Sequence, residues 1–111
     1  MGRYVITGSW SAQAMKGFID RPSDRWGPIE AMIKAAGGKM ETYYVTTGPS
    51  DFIIISEADD IKKVLAAVMV AAGSGSLSSI QTQEAFTTAE FKDMHEAAGK
   101  IRSTFPVPGN S

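Results

Sequence analysis

The sequence predicts an α+β fold in which one antiparallel sheet carries helices on one face. Three observations predict it. Strand-like and helical segments follow one another as β-α-β-β-α-β along 111 residues, with one further helix after them. That length allows one domain around one hydrophobic core. Hydrophobic residues make up 43% and charged residues 21% of the chain, the balance of an ordinary globular protein and of neither a disordered chain nor a coiled coil.

The first element is Arg3 to Gly8, a short β-branched and aromatic run that stops at a glycine and reads as a strand. From Ser11 the period becomes helical, with Ala12, Met15, Phe18 and Ile19 in register, and it ends at Arg21-Pro22, since a residue before proline resists helical dihedrals. Ser9 or Ser11 is placed to cap that helix. A second helical stretch sets Trp26, Ile29, Ile33 and Ala36 on one face and stops at Gly37-Gly38. Pro28 fits there only near a first turn, where its missing N–H has little consequence. The two stretches form one kinked helix or two.

Lys39 to Thr47 is the second strand, Gly48 to Asp51 a turn, and Phe52 to Glu57 the third strand, paired as a hairpin. Phe52, Ile53, Ile54 and Ile55 are apolar at both parities, so this strand needs cover on both faces. Asp59 is expected to cap the next helix, with Asp60 against its dipole. Ile61, Val64, Leu65, Val68 and Ala72 recur at helical spacing, and beyond the first turn the other positions are apolar too, which predicts burial on more than one side. After Gly73-Ser74-Gly75-Ser76, Leu77 to Phe86 reads as a more polar fourth strand. Thr87 and Glu90 form a capping box at the head of the last helix, whose apolar face is Phe91, Met94, Ala98 and Ile101, with Gly99 as its expected end. Residues 1–101 are thus one domain, and 102–111, with two prolines and no helical period, an extended or disordered tail. The strand order is that of a ferredoxin-like sandwich with an extra C-terminal helix. Helices cover one face of Phe52–Ile55, and a second copy of the sheet is the economical cover for the other, so a homodimer is expected.

Charge excludes some partners. Eleven basic and twelve acidic residues give a net charge of −1, with no basic stripe of the kind nucleic acid requires. The charge is uneven: Arg3 to Lys39 holds six basic residues against three acids, while Met40 to Ile61 holds five acids and no base. That asymmetry can orient a partner. The longest strongly apolar run, Val64 to Ala72, is nine residues, short of the roughly 20 that cross a bilayer, so no membrane role is expected. No export signal is visible, and the expected address is the cytoplasm. With no cysteine and one histidine, neither thiolate nor histidine-rich metal sites can form, and no cofactor is expected.

The glycine-rich stretch Gly73–Ser76 follows a helix and precedes a strand, the reverse of a phosphate loop. His95 borders the apolar face of the last helix, and no serine or acid partner for it can be argued from spacing. Glu57, Asp59 and Asp60 are grouped at a strand-to-helix junction, where helix capping explains Asp59 and Asp60. One cluster remains. Trp10 and Gln13 open the first helix, Tyr43 and Tyr44 lie on the second strand, and Asp51 begins the third. Trp10, Gln13, Tyr44 and His95 are the expected ligand-binding set: aromatic walls, an amide to orient a ligand, and an acid/base group. Tyr44 is chosen because it shares strand parity with Met40, and Tyr43 is its alternative. Catalytic residues cannot be named.

Four segments also resemble a known family. Trp10-Ser11-Ala12-Gln13-Ala14-Met15-Lys16 is similar to the W-T-x-Q-G-I-K opening of GYD-domain proteins, which are small and mostly bacterial. Gly37-Gly38-Lys39 with Tyr43 to Gly48, then Asp51 to Asp60, then Ala85-Phe86-Thr87 resemble later stretches of that family, in its order. The signature turn differs, because Ser50 stands where the family has tyrosine. The resemblance implies a ferredoxin-like dimer related to the dimeric α/β barrels. The expected function is small-molecule binding, with a cofactor-independent oxygenase or isomerase as the enzymatic alternative and a protein-interaction module as a third.

Overall fold

A computed structural model describes residues 1–109. The elements are β1 (Gly2–Trp10), α1 (Ala12–Asp20), α2 (Trp26–Ala35), β2 (Lys39–Val45), β3 (Phe52–Ala58), α3 (Ile61–Gly73), β4 (Leu77–Ala85) and α4 (Thr88–Ile101), followed by a short 3-10 turn at Arg102–Thr104. The four strands form one antiparallel sheet in the order β2-β3-β1-β4. This is the ferredoxin-like arrangement, with its first crossover helix divided into α1 and α2. The expected tail therefore begins with a turn, and its last two residues, 110 and 111, lie outside the described residues.

Local chemistry accounts for the element ends. The Ser11 hydroxyl accepts the Ala14 N–H at 3.1 Å and starts α1. Gly37, at φ +97°, ends α2, with its own N–H donating to the Lys34 carbonyl and that of Gly38 to Ile33. This is the Schellman pairing, and only glycine enters that conformation cheaply. At α3 the capping residue is Asp60, whose carboxylate accepts the Lys62 N–H at 2.9 Å. Asp59, the expected cap, instead pairs with Lys63 at 3.0 Å, because β3 runs one residue further than expected, to Ala58. The capping box of α4 is present in both directions: Glu90 N–H to the Thr87 hydroxyl at 3.1 Å, and Thr87 N–H to the Glu90 carboxylate at 2.8 Å. Gly99 does not end that helix. With no Cβ contact or left-handed turn at this position, α4 continues to Ile101.

The core lies between the sheet and helices α2 and α3. Tyr4, Ile6, Phe52 and Ile54 point into it from the central strands, and Ile33, Val64 and Ala67 meet them from the helices. On β2 the alternation is broken. Met40 pairs with Ser56, but Glu41 and Thr42 together face Ile55, after which Tyr43 pairs with Ile54 and Tyr44 with Ile53. This bulge inserts one residue and shifts every later side chain to the opposite face. Tyr43 is therefore buried with Met40, while Tyr44 is 66% exposed on the helix-free face.

Two apolar surfaces have no cover among the described residues. One is the helix-free sheet face, where Val5, Ile53 and Ile55 are half-buried. The other belongs to helices. In α3 only Val64 and Ala67 are buried, and Met69 and Val70 are largely exposed, so the expected two-sided burial is absent from the single chain. The helix presents only one arc to the sheet, and no second layer among the described residues lies over its outer arc. Every residue of α4 is exposed, including Phe91 and Met94. The chain measures 62 × 31 × 22 Å with a radius of gyration of 18.4 Å, against about 13 Å for a compact domain of this length.

Candidate functional site

The site grows from the carboxyl end of β1. Trp10 closes that strand, and its backbone N–H donates to the Asp51 carboxylate at 3.0 Å, while the Asp51 N–H donates to the Gly8 carbonyl at 2.7 Å. Asp51 thus ties the start of β3 to the end of β1 and fixes where the indole stands. The Trp10 ring packs at 4.8 Å on Phe52 and edge-on at 5.1 Å to Phe18 of α1. Across from it, Trp26 at the head of α2 stacks nearly parallel to Tyr43, with centroids 6.3 Å apart. A carboxylate oxygen of Asp24 accepts the Trp26 backbone N–H at 2.9 Å and holds the turn that delivers this indole.

Between these rings lies an open cleft of about 450 Å³, walled by Trp10, Phe18, Trp26 and Tyr43 with Met15 and Val45, and rimmed by Ser23, Asp24 and Arg25. A second groove of about 280 Å³ shares Trp10, Phe18, Ser23 and Arg25 and adds Arg21 and Ser76. A cavity in the core beneath has about 40 Å³, entirely apolar and too small for a metabolite. Burial raises the pKa of the Tyr43 phenol, with Asp24 adding to the shift and Arg25 opposing it. The phenol is therefore a hydrogen-bonding group at neutral pH and a poor base.

Of the four residues expected to bind a ligand, only Trp10 lines this cleft. Gln13 is exposed on α1, with its amide oxygen turned towards Gly75 in the loop before β4. Tyr44 points away because of the β2 bulge, and its neighbour Tyr43 takes the place beside Trp26. His95 lies on α4 with its ring 4.2 Å from that of Phe91, outside the cleft. Phe18, Trp26 and Arg25 were not anticipated. Phe18 and Trp26 read as core positions of amphipathic helices, and only the break between α1 and α2 turns them towards one another.

A second polar group sits on the helix-free sheet face. Arg3 bridges Glu41 at 3.2 Å and Glu57 at 3.6 Å. The two carboxyls perturb each other, Glu57 being raised by hydrogen bonding with Glu41, and Glu41 lowered by Glu57 and Arg3. No set of three or more His, Cys, Asp or Glu side chains among the described residues is grouped to hold a metal ion. No helix among them is long and apolar enough to cross a membrane.

A family model described as the GYD domain matches residues 4–95. This chain belongs to the GYD-domain family. In it the tryptophan of the opening motif and the aspartate of the signature turn meet, through the Trp10–Asp51 hydrogen bond. Ser50 replaces the signature tyrosine without breaking that link. No curated protein matches the chain. Among solved structures, TTHA0845 from Thermus thermophilus is similar at 16% identity and a TM-score of 0.51, over 78% of this chain and 95% of that one. The transcriptional regulator NMB0573 of Neisseria meningitidis, solved with L-Met, is similar at 13% identity and a TM-score of 0.51, over 78% of this chain and 50% of that one. Both likenesses are of fold.

Proposed function

We propose that this GYD-domain protein is a homodimeric small-molecule-binding protein whose ligand site is the Trp10–Trp26 cleft. The cleft itself carries the reading. Its volume of about 450 Å³ falls in the usual span of roughly 300–1,000 Å³ for ligand pockets, and its make-up, aromatic walls with a few polar groups at one edge, is how such pockets are built. NMB0573, a protein of similar fold, was solved with a small ligand, L-Met. The chain has two tryptophans, and both border the cleft, so their indole N–H resonances report directly on it. Titration with cinnamate, cinnamyl alcohol and cinnamylamine, one ring system with three charges, should move both resonances for at least one probe. If none of the three moves either indole, the cleft is not a ligand site.

Dimerisation rests on separate observations: the half-buried Val5, Ile53 and Ile55 of the helix-free sheet face, and α4, an amphipathic helix whose every residue is exposed, Phe91 and Met94 included. A single helix of 14 residues is marginal by itself in water. A second copy supplies both with cover, sheet face against sheet face, and each α4 against the other protomer.

A further inference from the structure

We infer that the cleft selects small aromatic anions, a ring carrying a carboxylate or a comparable pair of anionic oxygens. The inference rests on the cleft being the ligand site and adds the chemical class of its occupant. The observation is an imbalance of charge around an aromatic slot. Arg21 and Arg25 both line the groove that continues the cleft, and Arg25 lines the cleft as well. Among the described residues neither guanidinium lies within ion-pair distance of a carboxylate, whereas Arg3, Lys16 and Lys63 each have an acidic partner. Neither donates a side-chain hydrogen bond to another described residue, so two planar sets of donors are left unpaired on the groove. The one carboxylate on the rim, Asp24, already accepts the Trp26 backbone N–H. Two cations against one engaged anion leave the rim positive.

The uneven charge of the sequence has its local meaning here, since both arginines belong to the basic stretch between Arg3 and Lys39. An apolar floor next to unpaired guanidinium groups suits a ligand with two different ends. The ring would lie against the indole and phenyl faces of Trp10, Phe18 and Trp26, and the anionic oxygens would meet the forked donors of Arg21 and Arg25 at the mouth. The planar guanidinium matches a carboxylate in two parallel hydrogen bonds, a geometry that a lysine would not offer. Ser23 and Ser76, on the same groove, supply neutral hydroxyls beside that position. Neutral or cationic aromatic molecules of equal size would keep the ring contact and lose the pairing.

The same three probes separate this inference from the reading it rests on. Cinnamate should bind at least about tenfold tighter than cinnamyl alcohol, and cinnamylamine should be the weakest, as expected when a charge-assisted pair is gained, absent or reversed. In the R21Q/R25Q double variant, cinnamate should lose its preference over the alcohol, while the alcohol still moves both indole resonances and shows the cleft to be intact. Raising the salt concentration should weaken cinnamate alone. If the alcohol or the amine binds wild type as tightly as cinnamate, or if the double variant keeps the preference for cinnamate, the anion assignment is overturned and the cleft remains a ligand site. If no probe moves the indole resonances, both are overturned.

Discussion

A methyl group on Gly8 would stand 2.5 Å from the Ser79 carbonyl oxygen and 2.7 Å from the Phe52 ring. Both are closer than packed atoms tolerate, and one is backbone, which cannot swing aside. The absent side chain at Gly8 therefore lets β4 approach β1 and lets Phe52 lie under Trp10. Gly8→Ala should destabilise the protein by about 1–3 kcal/mol, the usual cost of overpacking, read as a lower urea midpoint with the slope unchanged. An unchanged midpoint would mean that the two strands can part at no cost. Single residues were legible in the sequence where their role is local. Thr87 and Glu90 satisfy each other across one helical turn, and Ser11 caps the helix that starts beside it. Tyr44 was not legible in the same way. Its face depends on a bulge at Glu41, and nothing in the residues 39–45 marks where an extra residue will be inserted.

Among the elements, α4 is the one whose formation rests most on its own sequence. The Glu90 carboxylate accepts the Thr87 N–H, and that bond, with the Thr87 hydroxyl, holds its pKa below the ordinary 4.5. A carboxylate depressed in this way stabilises the helix fully above the ordinary value, and the contribution is lost as the pH falls through the depressed one. Far-ultraviolet circular dichroism should therefore lose helical signal below about pH 4.5, in wild type more than in a Glu90→Gln variant, since glutamine keeps a capping contact and does not titrate. Equal acid titrations of the two proteins would show that the box does not govern α4. Thr87→Ala should weaken the same helix by about 1 kcal/mol, seen as faster amide exchange over residues 88–101, and unchanged exchange would count against the cap. Elsewhere the period in the sequence found each helix, and the errors fell at ends and outer faces. Asp60 rather than Asp59 caps α3 because strand length, set by pairing of β3 with β1 as far as Gly2–Ala58, decides where the chain turns. The outer arc of α3 is apolar and exposed because helical burial depends on what lies above the helix, which its own residues do not state.

For the whole molecule, the prediction concerns the helix-free face. Ile53 pairs with Thr7 and Tyr44 and points away from α2 and α3, whereas Ile54 points into the core. Ile53→Lys should thus spare the fold and place a charge in the proposed interface. Light scattering should give a dimer for wild type and a monomer for the variant at micromolar concentration. A monomeric wild type would sink the dimer, and a dimeric variant would move the interface off this face. Legible in the residues alone were the number of strands, the order of the elements and the apolar character of β3 at both parities, while α1 and α2 read equally as one helix or two. Those follow from period, capping and alternation, all set by residues within a few positions of one another. Which tyrosine faces the cleft, which ring meets Trp10, and the meeting of Arg21 and Arg25 on one groove depend on how distant segments pack. Phe18, Trp26 and Tyr43 come together only once α1 breaks from α2 and the sheet closes beside them. A pocket is a relation between segments distant in the chain, and local sequence fixes the faces of those segments without fixing how they meet.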